Sequence, residues 1–518
     1  MSYEKNICDL IIKICEENPD AVAISHRDEY ITYHRLYHTA RMNCVNLVNK
    51  TRNNETVLLL NTRSIPTYVG VLAILFSGCS YSPIDFAWPQ HKIEQIIQVL
   101  KPKIIVGEAN ELKLFFKSHP ELVNEIIPFE VQLTETNSQS LLLSFQDRYI
   151  SANDTAYTLF TSGSTGVPKG VQISHKNLIS FVENFNISYP LPRGLRFSQC
   201  FDLSFDVSIA DMFVTWSNVG TLCVLDKAEL TDPSEYIVRE KIDFWFSTPT
   251  TPRLMYRLGS LTDHCFPNLK YSFFIGEPLT TNIVDIWHAA APASKIVNAY
   301  GPTEATVLVS LFPQKSLGKK VDYVYDRVPI GKSLHAMEIK VIDEEDQECQ
   351  PYIVGEVILH GDQIAKGYMN DIIKTAENFR AVPSLKDVNK WYFTGDLGFT
   401  DADGLLHFSG RKDDQIKIAG QRVELGDIEV NLQKSFDRLG IFVVPKKSQE
   451  GNIDHLVGVS SEPIDPEAIS SAQKVFIRKR DKSFFPRKFI VIDALPVLDS
   501  GKIDRKKLET LISQKEKK

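Results

Sequence analysis

The chain has 518 residues, of which 43% are hydrophobic and 24% charged, a balance typical of folded proteins that argues against wholesale disorder. Its formal net charge of −7 disfavours broad nucleic-acid binding but permits a local basic groove that holds a small anion. The eight cysteines include no CxxC pair, so we expect no zinc ribbon, and reduced, mostly buried thiols in a cytoplasmic protein. Residues 1–25 lack an apolar core, so we expect no signal peptide.

Short apolar or β-branched runs alternate with helix-length segments along the first 300 residues. Strands are predicted for residues 56–60, 103–106, 243–246, 271–275 and 295–297. A helix is predicted between the fourth and fifth of these runs, over residues 282–290. This alternation favours an α/β fold of mainly parallel sheets with flanking helices, in which ligands collect at the carboxyl ends of the strands.

The character of the sequence changes after Gly395. Residues 400–404 (TDADG) predict a hairpin turn, and residues 410–429 are dense in charge. We therefore expect a large N-terminal domain over residues 1–412 and a small α+β C-terminal domain over residues 413–518. The final Lys- and Glu-rich stretch, residues 508–518, is predicted to form a solvated helix.

Residues 159–170, LFTSGSTGVPKG, predict a strand end followed by an anion-binding loop. Backbone N–H groups in such loops form concave anion sites, and Lys169 adds a positive charge. The loop is not a Walker A sequence, because Pro168 precedes the lysine and Gly170 follows it in place of a hydroxyl residue. A flexible Gly/Ser linker is the alternative, which the apolar residues on both sides disfavour. The hydroxyl and glycine positions are Thr161, Ser162, Gly163, Ser164, Thr165 and Gly166.

Two further clusters have the residue types of a nucleotide site. In residues 298–304, NAYGPTE, Tyr300 could stack on a base, Thr303 could donate to a phosphate and Glu304 could hold Mg²⁺. In residues 391–397, WYFTGDL, the carboxylate of Asp396 could accept both hydroxyls of a ribose. Taken singly, each cluster is also compatible with an ordinary surface turn.

Together these segments resemble the ordered core motifs of the adenylate-forming superfamily. Within it they are most similar to amino-acid-activating adenylation domains of nonribosomal peptide synthetases and to D-alanine–carrier protein ligases. The resemblance covers nearly the whole chain, with mild departures at Lys366, where arginine is common, and at Ser500, where asparagine is usual. The remaining motif segments are residues 31–36 (ITYHRL), 72–85 (LAILFSGCSYSPID), 205–208 (FDVS), 355–368 (GEVILHGDQIAKGY), 410–429, 483–489 (SFFPRKF) and 500–505 (SGKIDR).

The resemblance implies ATP and Mg²⁺ as cofactors. By similarity, the loop at residues 161–169 grips the β- and γ-phosphates. Asn298 and Tyr300 meet the adenine, and Asp396 and Arg411 hold the ribose hydroxyls.

The same resemblance assigns the groups nearest the reacting atoms. Thr303 would contact the α-phosphate, and Glu304 would bind Mg²⁺. Lys502 would reach from a mobile C-terminal domain to lie between the substrate carboxylate and the α-phosphate. Asp413 would be the hinge of that domain.

The implied reaction is activation of an amino acid to aminoacyl-AMP with release of pyrophosphate, followed by transfer to a phosphopantetheine thiol. No carrier segment follows residue 505, so we expect the carrier to be a separate protein. An acyl- or aryl-CoA ligase is the alternative within enzymes. A non-catalytic binding protein on the same scaffold is the alternative of another class, which the joint presence of Lys502, Glu304, Asp396 and Arg411 disfavours.

Asp206 matches the family position that receives the substrate α-ammonium group, and its alternative role is to cap a helix that begins near Ser208. The other matched pocket positions carry no charge and no strong hydrogen-bonding group, so a small apolar amino acid fits best, with alanine first. Phe273 stands where the alanine pattern has a small residue, which leaves glycine, proline or valine open. The matched positions are Val207, Ala210, Phe246, Phe273, Ile275, Ala299, Val307 and Leu308.

Overall fold

The structure is a computed structural model. It describes residues 6–85, 88–123, 125–133, 148–161, 168–314, 327–385, 387–412, 415–418, 421–436, 441–448, 453–478, 481–496, 503 and 505–515.

The helices of the described residues are α1 (Ile7–Glu17), α2 (Tyr33–Val48), α3 (Ile65–Phe76), α4 (Gln90–Leu100), α5 (Ala109–Ser118), α6 (His175–Ser188), α7 (Val207–Ser217), α8 (Ser234–Arg239), α9 (Thr250–Leu258), α10 (Thr281–Ala290), α11 (Ile372–Asn378), α12 (Leu425–Phe436), α13 (Pro466–Ile477) and α14 (Arg505–Lys515). None of these helices has the length and apolar character needed to cross a membrane.

The strands of the first half are β1 (Val22–His26), β2 (Glu29–Thr32), β3 (Thr56–Leu60), β4 (Ser80–Ile84), β5 (Ile104–Gly107), β6 (Ile127–Glu130), β7 (Thr155–Thr161), β8 (Lys169–Ser174), β9 (Arg196–Gln199), β10 (Thr221–Val224), β11 (Phe244–Ser247) and β12 (Tyr271–Phe274). Those of the second half are β13 (Lys295–Tyr300), β14 (Ser310–Pro313), β15 (Lys332–Ser333), β16 (Met337–Ile342), β17 (Gly355–Gly361), β18 (Gly367–Tyr368), β19 (Phe379–Val382), β20 (Asp387–Thr400), β21 (Leu406–Arg411), β22 (Gln415–Ile418), β23 (Gln421–Glu424), β24 (Ile441–Lys447), β25 (Ile453–Ser460) and β26 (Lys488–Val491).

The chain divides into two compact units. The first contains residues 1–86, 97–160 and 170–412, and the second contains residues 87–96, 161–169 and 413–518. The two short segments of the second unit belong to the large domain in the sequence-based division, so the two descriptions differ there. The hinge at Asp413 stays a prediction, because that residue lies outside the described residues.

Two large sheets of the first unit are mainly parallel. One has nine strands in the order β15-β14-β13-β12-β11-β9-β10-β1-β2, and the other has seven in the order β18-β8-β7-β4-β3-β5-β6. Antiparallel pairing occurs at their edges, for example between β13 and β14 and between β8 and β18. A third, antiparallel sheet joins β16, β17, β20, β19 and β21. The predicted α/β fold class is confirmed, and the five predicted strands correspond to β3, β5, β11, β12 and β13.

Two almost fully buried helices lie in the core of the first unit. Every residue of α3 except Pro66 and every residue of α7 from Val207 to Trp216 is buried. A helix that is buried on nearly all sides must be covered by other elements all round, and both helices contribute to the main hydrophobic cluster. The burial of α7 fixes the position of its first turn, which follows Asp206.

The second unit contains a sheet in the order β24-β25-β26 and the hairpin β22-β23. The expectation that the C-terminal helix is fully solvated is wrong for one face of α14. Leu508 and Ile512, one turn apart, are 0% and 1% exposed and pack in a cluster with Val457 and Val459. Residues four positions apart lie on the same face of a helix, so Leu508 and Ile512 form a short apolar stripe. The charged residues around them make this stripe hard to recognise in the sequence.

We predict that Arg505→Met destabilises the second unit by about 3 kcal/mol, because it leaves a buried carboxylate without its cation. Arg505 donates from Nη1 and Nη2 to the two carboxylate oxygens of Glu429 at 2.8 and 2.9 Å, and the glutamate side chain is only 7% exposed. The matched control is Arg487→Met, whose exposed pair with Asp454 spans 3.7 Å and should contribute about 0–1 kcal/mol. Equal urea-unfolding free energies for the two variants would contradict the prediction.

Candidate active site

The carboxyl ends of three neighbouring parallel strands bring predicted site residues together. Phe246 on β11 pairs in register with Phe273 on β12, which pairs with Val297 on β13. Asn298 and Tyr300 therefore lie on the strand next to that of Phe273, although about 25 residues separate them in sequence. This edge is where an open α/β sheet places its ligand.

Asp396 is the centre of a buried polar cluster. The Tyr300 hydroxyl donates to Asp396 Oδ2 at 2.6 Å, and Arg411 Nη1 donates to Asp396 Oδ1 at 2.6 Å. The pair register of β20 and β21 places Asp396 directly opposite Arg411. Burial, followed by the charge of Asp396, raises the pKa of Tyr300 well above its ordinary value, so the phenol remains a donor. Each carboxylate oxygen keeps further lone pairs that can accept vicinal hydroxyls.

Asn298 is buried and hydrogen-bonds to a neighbouring segment of the backbone, residues 328–329. Its Nδ2 donates to the backbone carbonyls of Val328 and Pro329 at 3.1 and 2.9 Å. Both amide hydrogens are used in this way. The role of Asn298 beside an adenine stays a prediction.

Glu304 is 1% exposed, on a 3₁₀ turn, Thr303–Ala305, on which Thr303 is half-buried. The Tyr368 hydroxyl donates to Glu304 Oε1 at 2.9 Å, and Asn378 Nδ2 donates to the Tyr368 hydroxyl at 3.2 Å. Neither supporting residue was predicted from the sequence, although Tyr368 is the last residue of the motif at residues 355–368.

The carboxylate of Glu304 is compatible with a Mg²⁺ site. Within the described residues, no group of three or more His, Cys, Asp or Glu side chains is arranged to hold a metal ion. Mg²⁺ is commonly held by one or two carboxylates together with substrate phosphates. A single oriented carboxylate such as Glu304 fits that mode.

The segment after Tyr300 turns back on itself very tightly. A Cβ at Gly301 would lie 2.4 Å from the Cα of Leu308, so only glycine fits there. Thr306 and Val307 have left-handed φ angles of 55° and 75°. Such angles are unusual for β-branched residues and cost on the order of 1–3 kcal/mol each. The turn places the buried side chains of Val307 and Leu308 beside the 3₁₀ turn of Glu304.

Asp206 lies at the N-cap position of α7 but makes no capping hydrogen bond with its side chain. The capping alternative therefore has no support in the geometry. Val207 and Ala210 are buried on the first turns of the same helix, so the half-buried carboxylate lies at the start of an apolar surface.

Aromatic rings fill the space around the predicted pocket positions on β11 and β12. The rings of Phe246 and Phe273 meet edge to face at a centroid distance of 5.8 Å. Phe273 is 0% exposed, stacks on Phe244 at 4.8 Å and meets Tyr189 edge to face at 5.1 Å. The other predicted positions, Ile275 and Ala299, are 2% and 4% exposed.

The structure describes only the two ends of the glycine-rich loop. β7 ends at Thr161 and β8 begins at Lys169, which agrees with the predicted strand before the loop. Ser162, Gly163, Ser164, Thr165 and Gly166 lie outside the described residues, as does Lys502. The roles assigned to them stay predictions.

The family model of AMP-binding enzymes matches residues 12–369. The chain is 30% identical over 513 residues to the D-alanine–D-alanyl carrier protein ligase of Lactococcus lactis, covering 97% of this chain and 98% of the relative. It is 29% identical over 525 residues to the ligase of the same name from Staphylococcus epidermidis, covering 98% and 99%.

Solved structures agree on the fold. The Vibrio cholerae adenylation domain AlmE, in complex with glycyl-adenosine-5'-phosphate, matches with a TM-score of 0.84 and 24% identity over 99% of both chains. PA1221, a nonribosomal peptide synthetase protein with adenylation and carrier domains, matches with a TM-score of 0.78 and 24% identity, covering 97% of this chain and 84% of that one. The predicted family is confirmed: this chain belongs to the AMP-binding enzyme family.

Proposed function

We propose that this chain is an amino-acid-adenylating ligase that uses ATP to convert a small apolar amino acid to aminoacyl-AMP and then loads it onto a separate carrier protein. The observation that carries this proposal is similarity at full length to D-alanine–D-alanyl carrier protein ligases. Full-length similarity includes both the segments with the nucleotide motifs and the segment that contains Lys502. The cytoplasm, which supplies ATP, is the compartment we propose for the reaction.

In the first step, a substrate carboxylate oxygen attacks the α-phosphorus of ATP and pyrophosphate leaves. The carboxylate is already ionised at neutral pH and needs no general base. The barrier comes from two sources: repulsion between the substrate carboxylate and the α-phosphate, and the negative charge that develops on the leaving pyrophosphate. Fixed cations and N–H donors that stabilise this charge are therefore the groups required. In the second step, the carrier thiolate attacks the acyl carbon and AMP leaves.

Several residues of the first unit would contact the nucleotide. Asp396, kept in place by Tyr300 and Arg411, would accept the ribose hydroxyls, and the Tyr300 ring would lie against the adenine. Thr303 would donate to the α-phosphate. Glu304 would bind Mg²⁺, which when bound neutralises charge on the phosphates. Lys502 would place its ammonium group between the two anions that react.

The pocket favours a small amino acid, and we propose D-alanine as the first substrate. Asp206 would pair with the α-ammonium group, which CoA ligases of plain carboxylic acids do not need. The rings of Phe246 and Phe273 occupy space that a larger side chain would require. Glycine is the next candidate, because the same rings would accept a substrate without a side chain.

The proposal is tested by amino-acid-dependent exchange of labelled pyrophosphate into ATP. The screen should include the common L-amino acids, D-alanine, glycine and β-alanine. We expect the highest kcat/KM with D-alanine and little exchange with charged or aromatic amino acids, because a polar group would be unpaired in an apolar pocket. Preference for a charged or aromatic substrate would contradict the pocket, and no exchange with any amino acid would contradict the function. Transfer to free CoA but not to a phosphopantetheinylated carrier would favour the CoA-ligase alternative.

Lys502→Ala should lower the exchange rate at least about 100-fold, the loss expected for one preorganised charge at a developing anion. Lys13→Ala, which removes a lysine that is 70% exposed on α1, is the control and should exchange at the wild-type rate. Exchange by Lys502→Ala at the control rate would remove Lys502 from the mechanism.

Tyr368→Phe should raise the Mg²⁺ concentration needed for half-maximal exchange by about tenfold, since removal of a group that orients a metal ligand usually costs 10–100-fold in affinity. Tyr81→Phe is the matched control. It removes a fully buried hydroxyl that has no hydrogen-bond partner among the described residues. In a Mg²⁺ titration at saturating ATP, Tyr368→Phe should need more Mg²⁺ for half-maximal exchange than Tyr81→Phe. Coincident titration curves for the two variants would show that Tyr368 does not orient Glu304.

A further inference from the structure

Gln363 is a fully buried amide on the segment between β17 and β18. Its Nε2 donates to the backbone carbonyls of Leu308 and Ala305 at 3.0 and 3.3 Å, and its Oε1 accepts from Asn184 Nδ2 at 3.0 Å. Carbonyl oxygens can only accept, so the two carbonyls require the NH₂ end of the amide to face the turn. Every polar atom of this side chain therefore has a partner.

The backbone that Gln363 holds is the strained part of the candidate site. Thr306 and Val307, with φ angles of 55° and 75°, lie between the two carbonyls that accept from the glutamine. In addition, the Thr306 hydroxyl donates a hydrogen bond to the Gln363 backbone carbonyl at 2.5 Å. A left-handed conformation at β-branched residues persists only when surrounding contacts determine it. Here Gln363 supplies three of those contacts, one with the Thr306 hydroxyl and one with each of the two flanking carbonyls.

The same short turn joins two sets of predicted site residues. Thr303 and Glu304, on its N-terminal side, are the proposed phosphate and metal residues, and Val307 and Leu308 are proposed pocket residues. A backbone bond from Ala365 N–H to the Glu304 carbonyl at 2.8 Å connects the segment of Gln363 to the N-terminal side of the turn as well. A change in the turn would therefore alter both sets at once.

We propose that Gln363 is a positioning residue that holds the turn at residues 305–308 and thereby determines amino-acid selectivity. This inference rests on the proposed function. Space filling alone does not account for the amide: an apolar residue of similar size would fill the volume without the cost of burying polar atoms. Among the described residues, the carbonyls of Ala305 and Leu308 accept no hydrogen bond from regular secondary structure in this turn. The amide of the glutamine supplies a donor to each of them.

The test is Gln363→Glu, which keeps the size of the side chain and an oxygen for Asn184 but replaces the donor that faces the two carbonyls. The matched control is Asn43→Asp. Asn43 is 1% exposed, donates from Nδ2 to the carbonyls of Thr39 and Gln132 at 2.8 Å each, and accepts from Gln132 N–H at 2.9 Å. Both substitutions replace a buried NH₂ group that donates to two carbonyls with an oxygen that can only accept. Only Gln363 contacts the turn at residues 305–308.

Pyrophosphate exchange is measured with D-alanine and with a larger competitor, valine. We expect Gln363→Glu to raise the KM for D-alanine about tenfold, the effect of one unsatisfied buried hydrogen bond, and to reduce the D-alanine-to-valine ratio of kcat/KM. Asn43→Asp should lower the melting temperature and leave both quantities unchanged. A merely structural role for Gln363 would lower the melting temperature and the active fraction without moving the KM or the ratio.

Thr306→Val provides a second variant if Gln363→Glu does not fold, because it removes the hydroxyl bond to the Gln363 carbonyl at nearly constant shape. It should shift the KM and the selectivity ratio in the same direction. If the wild type exchanges and whichever variant folds keeps its KM and ratio, this inference is wrong while the proposed function stands. If the wild type exchanges with no amino acid, the proposed function fails and this inference fails with it.

Discussion

The close backbone contact at Gly301 is the constraint on which the candidate site depends. The chain leaves β13 and returns so tightly that a Cβ at Gly301 would lie 2.4 Å from the Cα of Leu308. Tyr300 directly precedes Gly301, Glu304 lies within the loop, and Leu308 is the other residue of the contact. One turn therefore supplies residues for the proposed adenine, metal and amino-acid subsites, and its shape determines the distances among them.

Separate hydrogen-bond networks stabilise the residues on either side of that turn. Asp396 and Arg411 pair across two strands of the third sheet, and Asp396 connects them to Tyr300 at the end of β13. Tyr368 and Asn378 form a separate network with Glu304. Buried polar groups of this kind are costly when any partner is missing. The first unit thus positions charged groups before a ligand binds, which is the arrangement that electrostatic catalysis requires.

Much of the fold was predictable because its signals are local. The run at residues 56–60 consists of β-branched and aliphatic residues between polar ones, and it forms β3 as predicted. The proposed nucleotide residues Tyr300, Asp396 and Arg411 come from separate motifs, and hydrogen bonds connect them in the structure. Such motifs are readable because each keeps its chemistry within a few neighbouring residues.

Other features depend on contacts between distant segments and leave little trace in sequence. The left-handed angles of Thr306 and Val307 oppose the β-branched preference for extended backbone, and Gln363, more than 50 residues later, compensates. The buried face of α14 was missed because its apolar positions, Leu508 and Ile512, are too few to stand out among charges. Tertiary packing, not local preference, decides both cases.

A crystal structure with a non-hydrolysable alanyl-adenylate analogue would show whether these residues form one adenylate site. We expect the ribose hydroxyls on the Asp396 carboxylate, the adenine against Tyr300, the α-ammonium group on Asp206, and the alanyl methyl group against Val307 and Leu308. An analogue bound elsewhere, or bound with its ammonium group away from Asp206, would contradict this expectation.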